Sequence, residues 1–421
     1  MIKKYLSVMG LAILCRINAV AQAVKDSIGN NQLRSDQAPV KNIDSTGYQL
    51  RKLKLDEIDF VTSYYAQNGD HSAVTGGIGT ENVKDISNAL TLNLVWFNKH
   101  RLKNTLGIGL GFDYHTAASQ AFVSPTGASK KDGTRLYPSL DWSVENDKKG
   151  YTFGIGAYYS NEFNYKSLGA DLNFSQKTKD KSGEFSAKLQ GYFDNVTLIY
   201  PTEFMPGYDV SDPEGKHKDY HYGTSPRKTL TASLSYLQQV NKRLQVMFLA
   251  DAVVQNGYLG LPFHRVYFNN GKDTIEHLPS SRFKLPLGIR LNYFLGDNIV
   301  IRTYYRYYSD NWGIHSNTAQ IELPYKITPF VSIAPFYRFY NQSASKYFAP
   351  YEQHSPSDEY YTSNYEYSKF TSSFYGVNFR FAPPKGVLGW QHLHDLEIRY
   401  GHYTQTTDLV SNVISLAFGF K

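Results

Sequence analysis

Apolar and polar residues alternate with period two in stretch after stretch of this chain, the pattern of β-strands whose two faces meet different surroundings. The clearest stretch sets Leu106, Ile108, Leu110, Phe112 and Tyr114 on one face and Gly107, Gly109, Gly111, Asp113 and His115 on the other. A second sets Phe283, Leu285, Leu287, Ile289, Leu291 and Tyr293 against Arg282, Lys284, Pro286, Gly288, Arg290 and Asn292. The core of a soluble protein is not expected to face such cations. The alternation recurs at Leu90-Leu92-Leu94-Trp96, Phe153-Ile155-Ala157-Tyr159, Leu168-Ala170-Leu172-Phe174 and Leu244-Val246-Phe248-Ala250. It returns near the C-terminus in Tyr375-Val377-Phe379-Phe381, Leu396-Ile398-Tyr400 and Ile414-Leu416-Phe418-Phe420.

The connections between these stretches alternate in length. Tight polar turns are predicted at residues 98–104, 146–150, 178–183, 241–243, 295–298 and 326–329. Longer segments, at residues 67–87, 117–133, 200–226, 256–281 and 343–367, fall between them. Short periplasmic turns alternating with long outer loops is the layout of a bacterial outer-membrane barrel. The pattern therefore predicts an all-β, transmembrane, up-and-down antiparallel β-barrel of about 16 strands. Its last strand, ending in Phe420, has the outward apolar row by which the barrel assembly machinery takes up such proteins, although Lys421 follows the aromatic.

Composition agrees, because 35 Tyr and 25 Phe accompany a mean hydropathy of −0.43. Beyond the N-terminus no apolar run reaches the length of a membrane helix, so any crossing must use strands. Pro138, Pro286 and Pro335 fall inside proposed strands and demand bulges or strand ends, since proline donates no ladder hydrogen bond. A soluble β-sandwich or propeller also alternates, but it does not explain outward Leu and Phe rows on nearly every strand.

The N-terminus sets the compartment. Met1-Ile2-Lys3-Lys4 precedes an apolar run over residues 5–15, and Ala19-Val20-Ala21 supplies the small residues that signal peptidase needs. Residues 1–21 read as a cleaved signal peptide, 22–50 as a flexible periplasmic leader and 51–421 as the barrel, located in the bacterial outer membrane. Cys15, preceded by Leu14 rather than a small residue, fits a lipoprotein signal poorly. If Cys15 leaves with the signal, the mature chain has no thiol, and disulfides and thiolate chemistry are excluded.

The formal charge of +7 falls to 41 − 37 = +4 once Lys3, Lys4 and Arg16 are removed. That excess is spread along the chain among the acids, which is no footprint for nucleic acid. The expected partner is outer-membrane lipid, with any solute or protein partner unknown.

Four segments carry a family resemblance: Asp70-His71-Ser72-Ala73-Val74-Thr75-Gly76-Gly77-Ile78-Gly79-Thr80-Glu81, Leu261-Pro262-Phe263-His264-Arg265-Val266-Tyr267-Phe268, Pro279-Ser280-Ser281-Arg282-Phe283-Lys284-Leu285-Pro286 and Tyr360-Tyr361-Thr362-Ser363-Asn364-Tyr365. Through them the chain, from about Lys52 onward, resembles the uncharacterised bacterial family of domain-of-unknown-function proteins numbered thirty-five seventy. The resemblance implies an outer-membrane protein without an assigned activity and transfers no functional residue.

Candidate chemistry is sparse. The glycines of residues 75–80 lack the strand and helix of a phosphate cradle and read as a loop needing positive φ. His392 and His394, and His217 and His221, come without the cysteines or carboxylates of a metal site. No Gly-x-Ser-x-Gly or comparable motif marks a hydrolase, and neither an enzyme nor a cofactor is expected. The informative face is the inward one. Arg282, Lys284, Arg290, Arg302, Arg306, Arg338, Arg380 and Arg399 fall on it in the later strands, and Asp113, Asp141, Asp171 and Asp251 in the earlier ones. Two readings follow: opposed charge across a wet pore for polar solutes, or pairing of these groups inside a closed lumen. A third class is a surface scaffold that binds a partner through outer loops such as the tyrosine-rich residues 347–367.

Overall fold

The computed structural model describes residues 52–116, 133–162, 164–204 and 223–421. Nine long strands come first: β1 (Lys54–Asn68), β2 (Val83–Phe97), β3 (Lys103–His115), β4 (Gly133–Asn146), β5 (Tyr151–Glu162), β6 (Tyr165–Lys177), β7 (Gly183–Thr197), β8 (Thr224–Gln239) and β9 (Leu244–Gly257). A small hairpin of β10 (Arg265–Tyr267) and β11 (Asp273–Ile275) stands apart from them. The main sheet resumes with β12 (Ser281–Leu295), β13 (Ile299–Asp310), β14 (His315–Glu322), β15 (Tyr325–Thr328), β16 (Val331–Gln342), β17 (Phe370–Phe381), β18 (Leu393–Gln405) and β19 (Leu409–Phe420).

Every wall strand pairs antiparallel with its neighbours in sequence, and β1 pairs with β19 from Ile58↔Phe420 to Asn68↔Val410. The sheet therefore closes and leaves no edge. Its 17 strands make a 16-strand barrel, because β14 and β15 are one strand broken at Leu323-Pro324.

The two faces are inverted relative to a soluble protein. Leu168 and Leu189 are 60% exposed and Leu230 is 56% exposed, whereas Asp113, Asp171, Asp194, Arg227 and Arg399 are buried on the inner face. A sandwich would bury the leucines, so only an apolar solvent around the wall satisfies both rows. Among the described residues no helix is long and apolar enough to cross a membrane.

The three troublesome prolines sit where the ladder is interrupted. The β4–β5 register jumps from Leu136↔Asn161 to Ser139↔Tyr158, skipping Pro138. The β9–β12 register jumps from Lys284↔Val253 to Leu287↔Ala250, skipping Pro286. Pro335 pairs normally with Val377 on one side and faces the break at Leu323-Pro324 on the other. Each missing N–H thus meets a gap instead of an orphaned carbonyl.

Short turns lie on the end that holds both ends of the barrel chain, as predicted. The exception is the unpredicted turn at 382–392, which is tied by its own hydrogen bonds and leaves Leu388 97% exposed. The loop predicted at 67–87 is shorter than its sequence suggests, because β1 and β2 stay paired out to Gln67↔Val83. Residues 1–51, with the predicted signal and leader, lie outside the described residues, as do 117–132 and His217 and His221.

At the opposite end the long loops pack together into a cap with an apolar core. Val266, Phe268, Leu261, Leu278 and Trp312 are all buried there. The segments that carry the family resemblance are among its parts. Arg265 donates to the Val74 carbonyl at 2.7 Å, and Phe268 stands edge-on to Tyr361 at 5.1 Å. Gly76 and Gly77 have positive φ, and a Cβ on Gly77 would lie 2.5 Å from the Ser363 carbonyl. The glycines serve both a left-handed turn and close loop packing.

Candidate functional site

The interior of the barrel is built by the same alternation that makes its outside apolar. On β12, exposed Phe283, Leu285 and Leu287 leave Arg282, Lys284 and Arg290 on the inner face. On β13, exposed Tyr305 and Tyr307 do the same for Arg302 and Arg306. By the same test Arg338 (β16), Arg380 (β17), Arg399 (β18), Asp113 (β3), Asp141 (β4), Asp171 (β6) and Asp251 (β9) all face inward.

Most of these charges are met from the neighbouring strand. Arg282 Nε donates to Asp310 Oδ2 at 2.9 Å and its guanidinium lies 4.4 Å over the Trp312 ring. Arg302 pairs with Glu322 at 3.0 Å, and Arg399 reaches the same carboxylate at 3.8 Å while lying 4.3 Å over Phe336. Arg380 bridges Asp395 at 3.0 Å and Glu397 at 3.1 Å. Arg338 donates to Gln320 at 2.7 Å, and Arg290 lies 5.2 Å over Tyr304. Arg306 makes no ion pair among the described residues.

The earlier strands carry the complementary set. Asp113 accepts from Tyr137 at 2.7 Å and lies 3.8 Å from Arg135. The Tyr158 hydroxyl links Asp141 and Asp171 across Gly156, where no side chain stands between them. Lys188 pairs with Asp171 at 3.4 Å, and buried Arg227 pairs with buried Asp194 at 2.7 Å.

The lumen is therefore sorted by sector yet partly neutralised within each sector. Arg135, Lys188, Arg227, Asp310 and Glu322 were not among the expected inward charges, although all obey the same alternation. Glu57 and Asp59 on β1 also gather with Asp395 and Glu397 toward the short-turn end of the barrel, an acidic group beside the basic half. An apolar cluster of Tyr65, Phe336, Phe374 and Val413, packed against Tyr403, lines the wall between β16 and β1.

The tyrosines of 347–367 are largely spent on the cap: Tyr347 stands edge-on to Trp312, and Tyr365 stacks on His71 at 3.7 Å. His392 and His394 contact the carbonyls of Lys421 and Gly419, and no group able to hold a metal occurs among the described residues.

The model of a family described as "Protein of unknown function (DUF3570)" matches residues 103–411. No curated protein matches the chain. Among solved structures, a BenF-like porin from Pseudomonas fluorescens Pf-5 superposes with a TM-score of 0.42 at 6% identity, covering 88% of this chain and 99% of that one. The outer membrane protein OprD from Pseudomonas aeruginosa gives 0.42 at 7% identity, covering 88% and 94%. A loop-deletion mutant of OmpT, an outer membrane protein of Vibrio cholerae, gives 0.45 at 9% identity, covering 87% and 99%.

Proposed function

This chain belongs to that family, whose description assigns no activity, and from that premise we propose that it is a porin-like outer-membrane channel for polar and charged solutes. One observation carries the reading: inward arginines concentrate on β12–β18, while inward aspartates concentrate on β3–β9 across the lumen. In a low-dielectric wall such a separation produces a transverse field that orients and selects ions. Cross-strand pairs such as Arg302–Glu322 reduce the field and hold the arginines in place. Export by a cleaved signal, and insertion by the barrel assembly machinery through β19, belong to the same proposal.

Planar-bilayer recording of the refolded chain tests it. The expected result is stepwise conductance, with a reversal potential that moves toward cation preference when Arg302 and Arg306 are both changed to Gln. A folded, heat-modifiable barrel that leaves the bilayer silent rejects the channel.

A further inference from the structure

The turns at the non-cap end are unequal around the rim. The four that join β2–β3, β4–β5, β6–β7 and β8–β9 follow one another along the barrel, since β2 to β9 are consecutive strands. Each exposes two cations: Lys99 and Arg101, then Lys148 and Lys149, then Lys179 and Lys181, then Lys242 and Arg243. Only Asp147 and Asp180 answer them on those turns. The turns also touch: Lys181 Nζ lies 3.0 Å from Asp147, and Gln176 donates to the Lys149 carbonyl at 3.0 Å. The remaining rim, at 296–298, 329–330 and 382–392, carries only Asp297 and Lys385 as charged residues on its turns and exposes Leu295, Phe330, Leu388 and Trp390.

This is not the general basicity of the chain showing through. At the cap end the loop between β16 and β17 carries Glu352, Asp358, Glu359 and Glu366 against Lys346 and Lys369. Charge is therefore polarised along the barrel axis, and the paired cations are concentrated on one half of one rim, with single lysines such as Lys326, Lys385 and Lys421 on the other half.

We propose that this arc is a docking surface for anionic phospholipid headgroups of the periplasmic leaflet. Placement supports lipid over a partner further out. Lipid-facing Phe153 and Phe185 lie four residues from Lys149 and Lys181, and exposed Val240 immediately precedes the last basic turn. Lysine and arginine stems lie along apolar surface and deliver their charge at the polar boundary, where headgroup phosphates sit. The two acids do not cancel the arc. The Lys181 hydrogen bond holds the Asp147 carboxyl below its usual range, and the Ser182 and Thr178 hydroxyls hold Asp180 at about 2. Both thus carry a constant single charge near neutrality, leaving the cations in excess.

The test uses the full mature barrel in phosphatidylcholine nanodiscs, with spin-labelled phosphatidylglycerol or spin-labelled phosphatidylcholine as probe. The immobilised fraction of each label gives its relative affinity for the protein. At low salt the anionic probe should be preferred roughly tenfold, and the preference should collapse near 1 M salt, where screening acts within about 3 Å. Changing all eight cations to Gln should abolish the preference, while Glu352→Gln with Asp358→Asn, Glu359→Gln and Glu366→Gln should leave it intact. If the eightfold variant does not fold, Lys148→Gln with Lys149→Gln, Lys242→Gln and Arg243→Gln should still lose most of it. Equal affinity for the two probes in the unaltered protein, or a preference that survives either neutralisation of the arc, overturns the proposal. Because the readout is lipid association, it stands or falls apart from conductance.

Discussion

The cap and the barrel wall bury opposite chemistry. In the cap, Val266 is fully buried and Trp312 is 1% exposed, and the polar groups buried with them, such as Glu276 and Thr362, are hydrogen-bonded to each other. In the wall, Leu189 is 60% exposed while Asp171 and Asp194 are inside. One chain thus obeys the hydrophobic effect twice with opposite signs, because one region is solvated by water and the other by hydrocarbon. The lesson is that burial alone does not identify a core here; the surroundings decide which face must be apolar. The two regions are joined at Arg282 and Asp310, since Asp310 also accepts from the Trp312 and Ile314 amides at 2.9 and 3.0 Å.

The sharpest way to separate them is to empty the cap core. Trp312 fills it, donates from Nε1 to the Ser281 carbonyl at 3.0 Å, and packs against Tyr347 and Tyr367. Trp312→Ala should cost about 3–5 kcal/mol locally, as for other large buried aromatics. Limited proteolysis should then cut the loops at 258–280 and 343–369, while heat-modifiable migration reports an intact barrel. A cap as protease-resistant as before would show that its core contributes nothing.

A charge on the lipid face breaks the comparison from the other side. Leu189 lies mid-strand on β7, so Leu189→Arg should cost about 2–4 kcal/mol, the penalty of a cation near the bilayer midplane. Gln190→Arg, one residue away on the inner face, should cost far less. Urea unfolding in lipid vesicles measures both, and equal penalties would mean that the two faces see the same solvent.

How much of this was legible without coordinates follows from the same contrast. The wall was readable, because a lipid solvent imposes period two on every strand, and even its prolines marked the ladder gaps. The inward arginines and aspartates came with it. Their partners, Asp310 and Glu322, sit at the last positions of β13 and β14 and could not be matched across strands without a register. The cap was readable only as long loops, not as a packed layer. Its contacts join Arg265 to Val74 and Thr362 to Glu276, far apart in sequence and without any repeat. Its residues stood out as segments resembling a family, as glycines needing positive φ and as a tyrosine-rich loop, none of which says how they pack together.

Glycine offers the finest comparison, because both ends of the barrel use it at positive φ. Gly296, in the turn between β12 and β13, has φ +69° and nothing within 4 Å of a would-be Cβ. Gly77, in the cap, has φ +86°, with the Ser363 carbonyl 2.5 Å and the Tyr365 ring 3.1 Å from that position. Gly296→Ala should therefore cost only the left-handed strain, about 1 kcal/mol. Gly77→Ala adds a clash with backbone that must shift, which brings it toward about 3 kcal/mol. The difference should appear as faster amide exchange at 362–365 in the Gly77 variant and no remote change in the Gly296 variant. Matching exchange profiles would mean that the first loop does not hold the seventh in place, and that the cap is a set of separate loops rather than one packed layer.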